Sequence, residues 1–257
     1  MNWRTFFKEK PLFKYTVLVL RAARNKYSLI TRMKLLGDFF GDYRTFKTLS
    51  ANPHFTLKTA DLYPRIYDKT GVTPLDPVYF YQDAWCAKKI FEAKPLSHTD
   101  VGSHAPTIGI ISQFVPTTMV DIRPLPVTIP GLSFTKGLLE ELPFESNSIS
   151  SLSSICVIEH IGLGRYGDPL DPFGSEKAAA ELSRVLAKNG ALYISVPIDD
   201  MSRVYFNAHR SFTRDHLLSL FANLTLTEEK YIYGATMTDH YDPAKKFGTG
   251  LFAFTKK

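Results

Sequence analysis

The chain has 257 residues, 44% of them hydrophobic, which suits one large domain or a domain with an extension and supplies enough apolar sequence for a core. Two cysteines, Cys86 and Cys156, exclude a disulfide framework and a cysteine metal site, and point to a reducing compartment. The net charge of +6 is lopsided: residues 1–60 hold 12 Lys/Arg against 3 Asp/Glu, and the remainder 19 against 22.

Residues 1–50 read as a basic helical segment. "FKYTVLVLRAARNKYSLITRMKLLGDFF" spaces its apolar residues by three and four, with Arg and Lys between. Such a segment caps the core with a solvated basic face, or meets anionic membrane or an acidic partner as a peripheral contact. Its apolar run "TVLVL" is too short to span a bilayer and lacks the form of a signal peptide, so a cytoplasmic protein is expected. Residues 51–80 carry four prolines and no sustained period, the pattern of a structured connector. The expected organisation is a basic extension over 1–60 and the main domain over 61–257.

From residue 81 the pattern alternates. "YQDAWCAKKIFEAK" predicts a helix. "SHTDVG" predicts a strand, with Pro106 at the start of the following helix. "TTMVDIRP", "LSFTKG" and "SISSLSSICVIEHI" predict three more strands. "SEKAAAELSRVLAKNG" predicts a helix capped by Ser175 and closed by Asn189-Gly190. "ALYISVP" is a buried strand, "FTRDHLLSLFANL" a helix capped by Thr213, and "LTLTEEKYIYG" and "GLFAFTKK" are the last two strands. Strands separated by helices imply an α/β fold with a parallel-rich sheet covered on both faces, and ligands of such sheets sit at the carboxyl ends of the strands.

Three landmarks fall at that end. Asp100, Gly102 and Ser103 follow the first strand. Asp121 ends the second, about twenty residues later, where dinucleotide folds place an acid that binds ribose hydroxyls. "LPFESNSISSLSSICVIEHI" then runs from Leu142 into the fourth strand. These stretches, with "AAAELSRVLAKNGALYISVP", resemble the class I S-adenosylmethionine-dependent methyltransferases over about residues 80–257. "DVGSHAPTIG", "VDIRPL", "IEHIGLGRYGDPLDP" and "FNAHRSFT" resemble more closely a methyltransferase-like family of unknown function (DUF268-like).

The resemblance implies a Rossmann-like fold with a mostly parallel seven-stranded sheet. It implies S-adenosylmethionine as cofactor, contacted by Asp100, Gly102, Ser103, His104, Asp121, Ile122, Leu138, Leu139 and Ile155. The turn after the first strand would offer backbone N–H groups and a helix N-terminus to the methionine carboxylate, and Asp121 would hold the ribose. The other reading of Asp121 is a helix-capping or salt-bridged surface acid. Three positions depart from the family: His104 and Pro106 stand where the loop has its second and third glycines, and Leu138 where a polar residue meets adenine.

His160 and His209 are the candidate bases for a methyl transfer, each at the ligand end of the sheet. His160 could instead order its loop, and His209-Arg210 could be a structural pair. Glu159, Arg165, Tyr166, Asp168, Asn207 and Arg210 are the candidate acceptor contacts; residues 161–175 form a long Gly/Pro-rich loop of the kind that carries function, or one whose glycines and prolines only set turns. Tyr81, Gln82 and Trp85 could close over the cofactor or simply pack on the sheet. The expected reaction is methyl transfer to an oxygen or nitrogen of a small polar acceptor, a sugar or nucleotide-sugar of glycan biosynthesis, with no metal. An inactive methyltransferase-fold scaffold is the alternative. A nicotinamide dehydrogenase would want its three-glycine loop intact. Nucleic-acid methylation is not expected, because Ile158-Glu159-His160-Ile161 replaces the "D/N-P-P-Y/F" motif.

Overall fold

A computed structural model describes residues 27–49 and 52–257. The chain forms two compact units, residues 1–74 and 75–257, so the proline-rich stretch 61–74 falls in the first. Of the expected basic helical segment, residues 1–26 lie outside the described residues. Within the first unit, helix α1 (Leu29–Thr48) starts at Ser28, whose side chain accepts from the Thr31 N–H. Tyr27 stacks on Tyr67 at 5.3 Å, and the Tyr43 hydroxyl meets that of Thr59 at 3.3 Å. No helix among the described residues is long and apolar enough to cross a membrane.

The second unit opens with α2 (Pro77–Ala93). The sequence pattern predicts this helix from residue 81. It begins four residues earlier because Asp76 caps the N–H groups of Val78 and Tyr79 and Pro77 supplies a helix-ready φ. Strands β1 (His98–Val101), β2 (Thr117–Asp121), β3 (Leu132–Lys136), β4 (Ile149–Ile155) and β5 (Leu186–Ile198) follow, with α3 (Ala105–Ile111) after β1 and α4 (Gly174–Val185) after β4. A hairpin of β6 (Arg203–Tyr205) and β7 (His209–Ser211), then α5 (Arg214–Leu220), β8 (Thr225–Tyr233), β9 (Thr236–Thr238) and β10 (Gly248–Thr255), complete it.

The main sheet runs β3-β2-β1-β4-β5-β10-β8-β9. The first five strands are parallel; β10 is antiparallel to β5 and β8, and β9 to β8. The sheet thus has eight strands, not the expected seven. The extra one arises because Tyr233 pairs with Thr236 across a two-residue turn at Gly234, which has φ +60°. Neighbouring residues alternate between two cores. Val120, Ile194 and Phe252 join Leu182 of α4 and Leu217 of α5, while Met119, Tyr193 and Leu251 join Trp85 of α2 and Ile111 of α3.

Three boundaries differ from the sequence reading. Asn189-Gly190 does not close α4. That helix ends at Val185, and Asn189, at φ +60°, sits in a bulge between the Leu186–Ile149 and Ala191–Ser151 pairs. Ser175 is not its cap; the buried hydroxyl donates instead to the Ile158 carbonyl at 2.7 Å. β4 stops at Ile155, so Glu159 and His160 lie in a turn, with the His160 N–H bonded to the Val157 carbonyl. Thr213 does cap α5, accepting from His216 N–H at 3.2 Å.

The loop between β4 and α4 is built tightly. Gly162 has φ +80°, and a Cβ there would stand 2.1 Å from the Asp171 carbonyl oxygen; Gly167 has φ +91° but open space around it. Gly162→Ala therefore meets both strain and a backbone clash, and Gly167→Ala strain alone. Urea denaturation should show Gly162→Ala losing about 2–4 kcal/mol and Gly167→Ala about 1 kcal/mol; equal losses would refute the packing assigned to this loop.

Candidate functional site

Two adjoining cavities open over the carboxyl ends of β1, β2 and β4. They share Gly102, Asp121, Arg123, Cys156, His160 and Tyr166. One continues past Ile122, Leu138, Leu139 and Asp168; the other past Ser103, His104, Ile155 and Tyr79. This is where an open α/β sheet places its ligand. Gly102 is required twice over: its φ is +72°, and a Cβ would lie 2.9 Å from Val157 Cγ1.

Below the turn runs a buried polar chain. His98 lies between the hydroxyls of Ser151 and Ser153 at 2.8 and 2.9 Å. Asp100 accepts from the Ser153 and Ser103 hydroxyls, each at 2.5 Å, and from the Ser103 N–H at 3.1 Å. Ser103 Oγ in turn accepts from the Ile155 N–H at 2.9 Å. Burial pushes Asp100 up to about 6 and pulls His98 down to about 3, with the bonds to Ser103 and Ser153 opposing the first shift. Asp100 thus faces the protein interior and braces the turn. The Gly102 N–H is spent on the Val120 carbonyl. Two of the donors expected to meet a methionine carboxylate are therefore used inside the loop, and α3 behind them has only seven residues. His104, at the head of α3, contacts Thr107 at 3.2 Å, lies 3.5 Å from Asp83 and meets the Tyr79 ring edge-on. Pro106 is the second helical residue rather than the first.

The other end of the cleft has the expected parts and one unforeseen one. Asp121 is salt-bridged. The Arg123 N–H donates to Oδ1 at 2.7 Å, Nε to the same oxygen at 3.2 Å, and Nη2 to Oδ2 at 3.3 Å. Arg123 also lies 4.6 Å from the centre of the Tyr166 ring, and Arg165 lies 5.1 Å from it. Sequence reading missed Arg123, although a cation two residues past a strand-end acid was the available signal. It also missed Cys156, which carries none.

His160 lines the cleft, and Glu159, an expected acceptor contact, is buried behind it and lines neither cavity. His160 Nδ1 donates to the Ala208 carbonyl at 2.7 Å, which assigns the lone pair to Nε2, 3.7 Å from Glu159 Oε1. Arg165 Nη1 donates to the same carbonyl at 2.8 Å. Burial lowers His160 to about 4 and raises Glu159 to about 8, so at neutral pH both are uncharged. Glu159 Oε2 and Gln82 Nε2 are buried without a partner. Gln82 Oε1 accepts from Cys156 and Ser195, so Gln82, like the buried Trp85, packs beneath the cleft.

Arg210 and Asp168 are engaged by the loop, and Asn207 and His209 stand on the hairpin. Arg210 is buried and donates to the carbonyls of Ile161, Asp171 and Pro172 and to Ser175 Oγ, so it holds the loop and has no fork left for a ligand. The buried Asp168 accepts from the N–H groups of Gly162, Gly164 and Tyr166, a loop cap whose edge lines the cleft. Asn207 is exposed at the tip of the β6–β7 hairpin. His209 stands on that hairpin between the rings of Tyr205 and Phe247, at 5.1 and 5.6 Å, and lines neither cavity; partial burial and Arg165 lower its pKa.

The residues present fit the adenosine half of S-adenosylmethionine. They offer a strand-end carboxylate for the ribose and an apolar slot between Ile122 and Leu138-Leu139. Gly137 passes close to Val120 beside that slot, since a Cβ there would stand 2.9 Å from Val120 Cγ1. The methionine half is remodelled by the committed loop donors and His104.

Residues 142–230 match the model of a family described as a Caenorhabditis protein of unknown function, DUF268. No curated protein matches the sequence. Among solved structures, the chain is similar to one described as a "putative sarcosine dimethylglycine methyltransferase" from Galdieria sulphuraria, at 16% identity and TM-score 0.52, over 69% of this chain and 86% of that one. It is similar too to the [4+2]-cyclase SpnF, at 12% identity and TM-score 0.52, over 68% and 81%. The 142–230 match spans β4 to β8, which includes the Glu159-His160 turn, the loop and the hairpin. The second unit has the Rossmann-like fold of class I S-adenosylmethionine-dependent methyltransferases, with a DUF268 match across the heart of its site.

Proposed function

We propose that the protein is an S-adenosylmethionine-dependent methyltransferase acting on an oxygen or nitrogen of a small polar acceptor, such as a sugar or nucleotide-sugar. One observation carries this reading. Asp121 and a neutral, tautomer-fixed His160 line the same cleft, 39 positions apart in sequence, at the ends of β2 and β4. Asp121 would hold the ribose, Ile122 and Leu138-Leu139 the adenine, and the turn at Gly102 the sulfonium end. When bound, S-adenosylmethionine supplies a methyl group on a sulfonium, whose departure leaves neutral S-adenosylhomocysteine. The chain's own task is to align the acceptor in line and remove its proton. His160 Nε2 takes that proton as the new bond forms, with Glu159 Oε1 3.7 Å away.

A second reading, a binding protein without activity, draws on the Arg123 side chain across both oxygens of Asp121 and on the committed loop donors. Calorimetry with S-adenosylhomocysteine separates the two. Binding is expected, with Asp121→Asn weakening it about tenfold or more, the scale of a lost hydrogen bond to a charge. No binding at millimolar concentration would sink the enzyme reading. With an acceptor in hand, His160→Gln should cut kcat about a hundredfold while leaving S-adenosylhomocysteine affinity unchanged.

The buried Glu159 predicts a pH dependence of stability. Glu159 keeps its proton in the folded state to about pH 8, against an ordinary 4.5, so the unfolded chain holds fewer protons across that interval and stability falls as pH rises. Asp100 acts in the same direction only up to about 6, and His98, His160 and His209, all lowered from 6.5, act oppositely below 6.5. The window from pH 6.5 to 8 therefore isolates Glu159. Urea denaturation should lose about 1–2 kcal/mol across it, and Glu159→Gln should flatten the loss. A slope that survives in Glu159→Gln would place the titrating group elsewhere.

A further inference from the structure

Around the Tyr166 ring the cleft gathers two guanidinium groups, one of them without an ion-pair partner among the described residues. Arg165 is exposed, lies 5.1 Å from the ring centre and donates to the Ala208 carbonyl; among the described residues it has no carboxylate within ion-pair distance. Arg123 lies 4.6 Å from the same ring and is neutralised by Asp121. The Asp168 carboxylate, which lines the same cavity, has its oxygens occupied by three loop N–H groups and makes no ion pair with either arginine. The guanidinium side chain of Arg123 covers both oxygens of Asp121. A ribose that takes those oxygens displaces it, while the Arg123 N–H can keep its own bond to Oδ1. The guanidinium N–H donors so released are then open to a second ligand beside Tyr166.

We infer that Arg165 and Arg123, gathered on Tyr166, form an anion site for a phosphate-bearing acceptor, and that cofactor binding at Asp121 completes it. This rests on the cofactor reading above. Planar guanidinium groups pair bidentately with phosphate oxygens, and two of them match the charge of a phosphate monoester. The acceptor's phosphate would sit against Arg165, beside His160. Cofactor and acceptor then bind with positive coupling, because the first ligand frees the Arg123 donors that the second one uses.

Calorimetry on the full chain with glucose 1-phosphate and glucose as probes tests this, each with and without saturating S-adenosylhomocysteine. Glucose 1-phosphate should bind and glucose should not. S-adenosylhomocysteine should tighten glucose 1-phosphate about fivefold or more. Arg165→Gln should weaken it about tenfold or more, with Arg165→Lys failing to restore it, since lysine lacks the planar fork. Arg123→Gln should abolish the gain from S-adenosylhomocysteine and bind S-adenosylhomocysteine more tightly than the unaltered chain. Binding indifferent to the phosphate, to Arg165 or to bound S-adenosylhomocysteine overturns the inference. If S-adenosylhomocysteine does not bind at all, the cofactor reading fails, while the Arg165→Gln comparison without it still decides whether the arginines form an anion site.

Discussion

The buried guanidinium of Arg210 is the constraint on which the site depends. Placing a cation in the interior is costly unless every N–H finds an acceptor. Here the acceptors are the carbonyls of Ile161, Asp171 and Pro172 and the hydroxyl of Ser175, and the Arg210 N–H bonds to the Glu159 carbonyl. One side chain on β7 therefore fixes both ends of the loop that follows β4. Asp168 satisfies that loop from within. Between them they leave Arg165 and Tyr166 displayed on a rigid frame. The reciprocal tie comes from the loop side, where His160 and Arg165 both donate to Ala208 of the hairpin that carries Arg210.

The turn after β1 shows a similar economy with a different outcome. A glycine-rich turn leaves its N–H groups for a ligand. In this chain Asp100 draws in the Ser103 N–H and hydroxyl, and Ser103 Oγ accepts from Ile155. The strand ends are thereby cross-braced by side chains, which lets the turn keep its shape with Gly102 as its one glycine. His104 and Pro106 then start α3 without needing left-handed backbone. The change of residues is coupled to a change in where the hydrogen bonds go.

Much of the fold was legible because period and punctuation agreed. The strands were marked by short apolar runs between turn residues and helical segments, and Thr213 was readable as a cap because its hydroxyl stands directly ahead of the helical run RDHLLSLF. The failures had physical causes. Asn189-Gly190 reads as a helix stop in sequence, but pairing of β5 with β4 and β10 claims Leu186 for the sheet and turns the pair into a bulge. β6, β7 and β9 are three-residue strands, too short for any period to register. In the site, residue identity was visible and direction was not. Asp121 and His160 could be placed on the cleft because each ends or closely follows a strand. Arg210 could not be turned inward from sequence, since its acceptors are carbonyls, which every residue has.

The fold alone does not decide the reaction: the same architecture is found in a [4+2]-cyclase as in a methyltransferase-like protein. What separates a methyl-transfer site from a scaffold is whether a proton has somewhere to go. A bonded Nδ1 and a bare Nε2 make His160 a one-sided base, and desolvation keeps it uncharged until it accepts. A scaffold has no use for that arrangement, and it has a cost: Glu159 Oε2 is buried with no hydrogen-bond partner. Gln82 Nε2, Glu176 Oε2 and Ser183 Oγ are buried without partners as well, so the missing bond alone does not mark a reaction site. The proposed proton transfer rests instead on the uncharged imidazole lining the same cleft as the strand-end carboxylate that Arg123 covers.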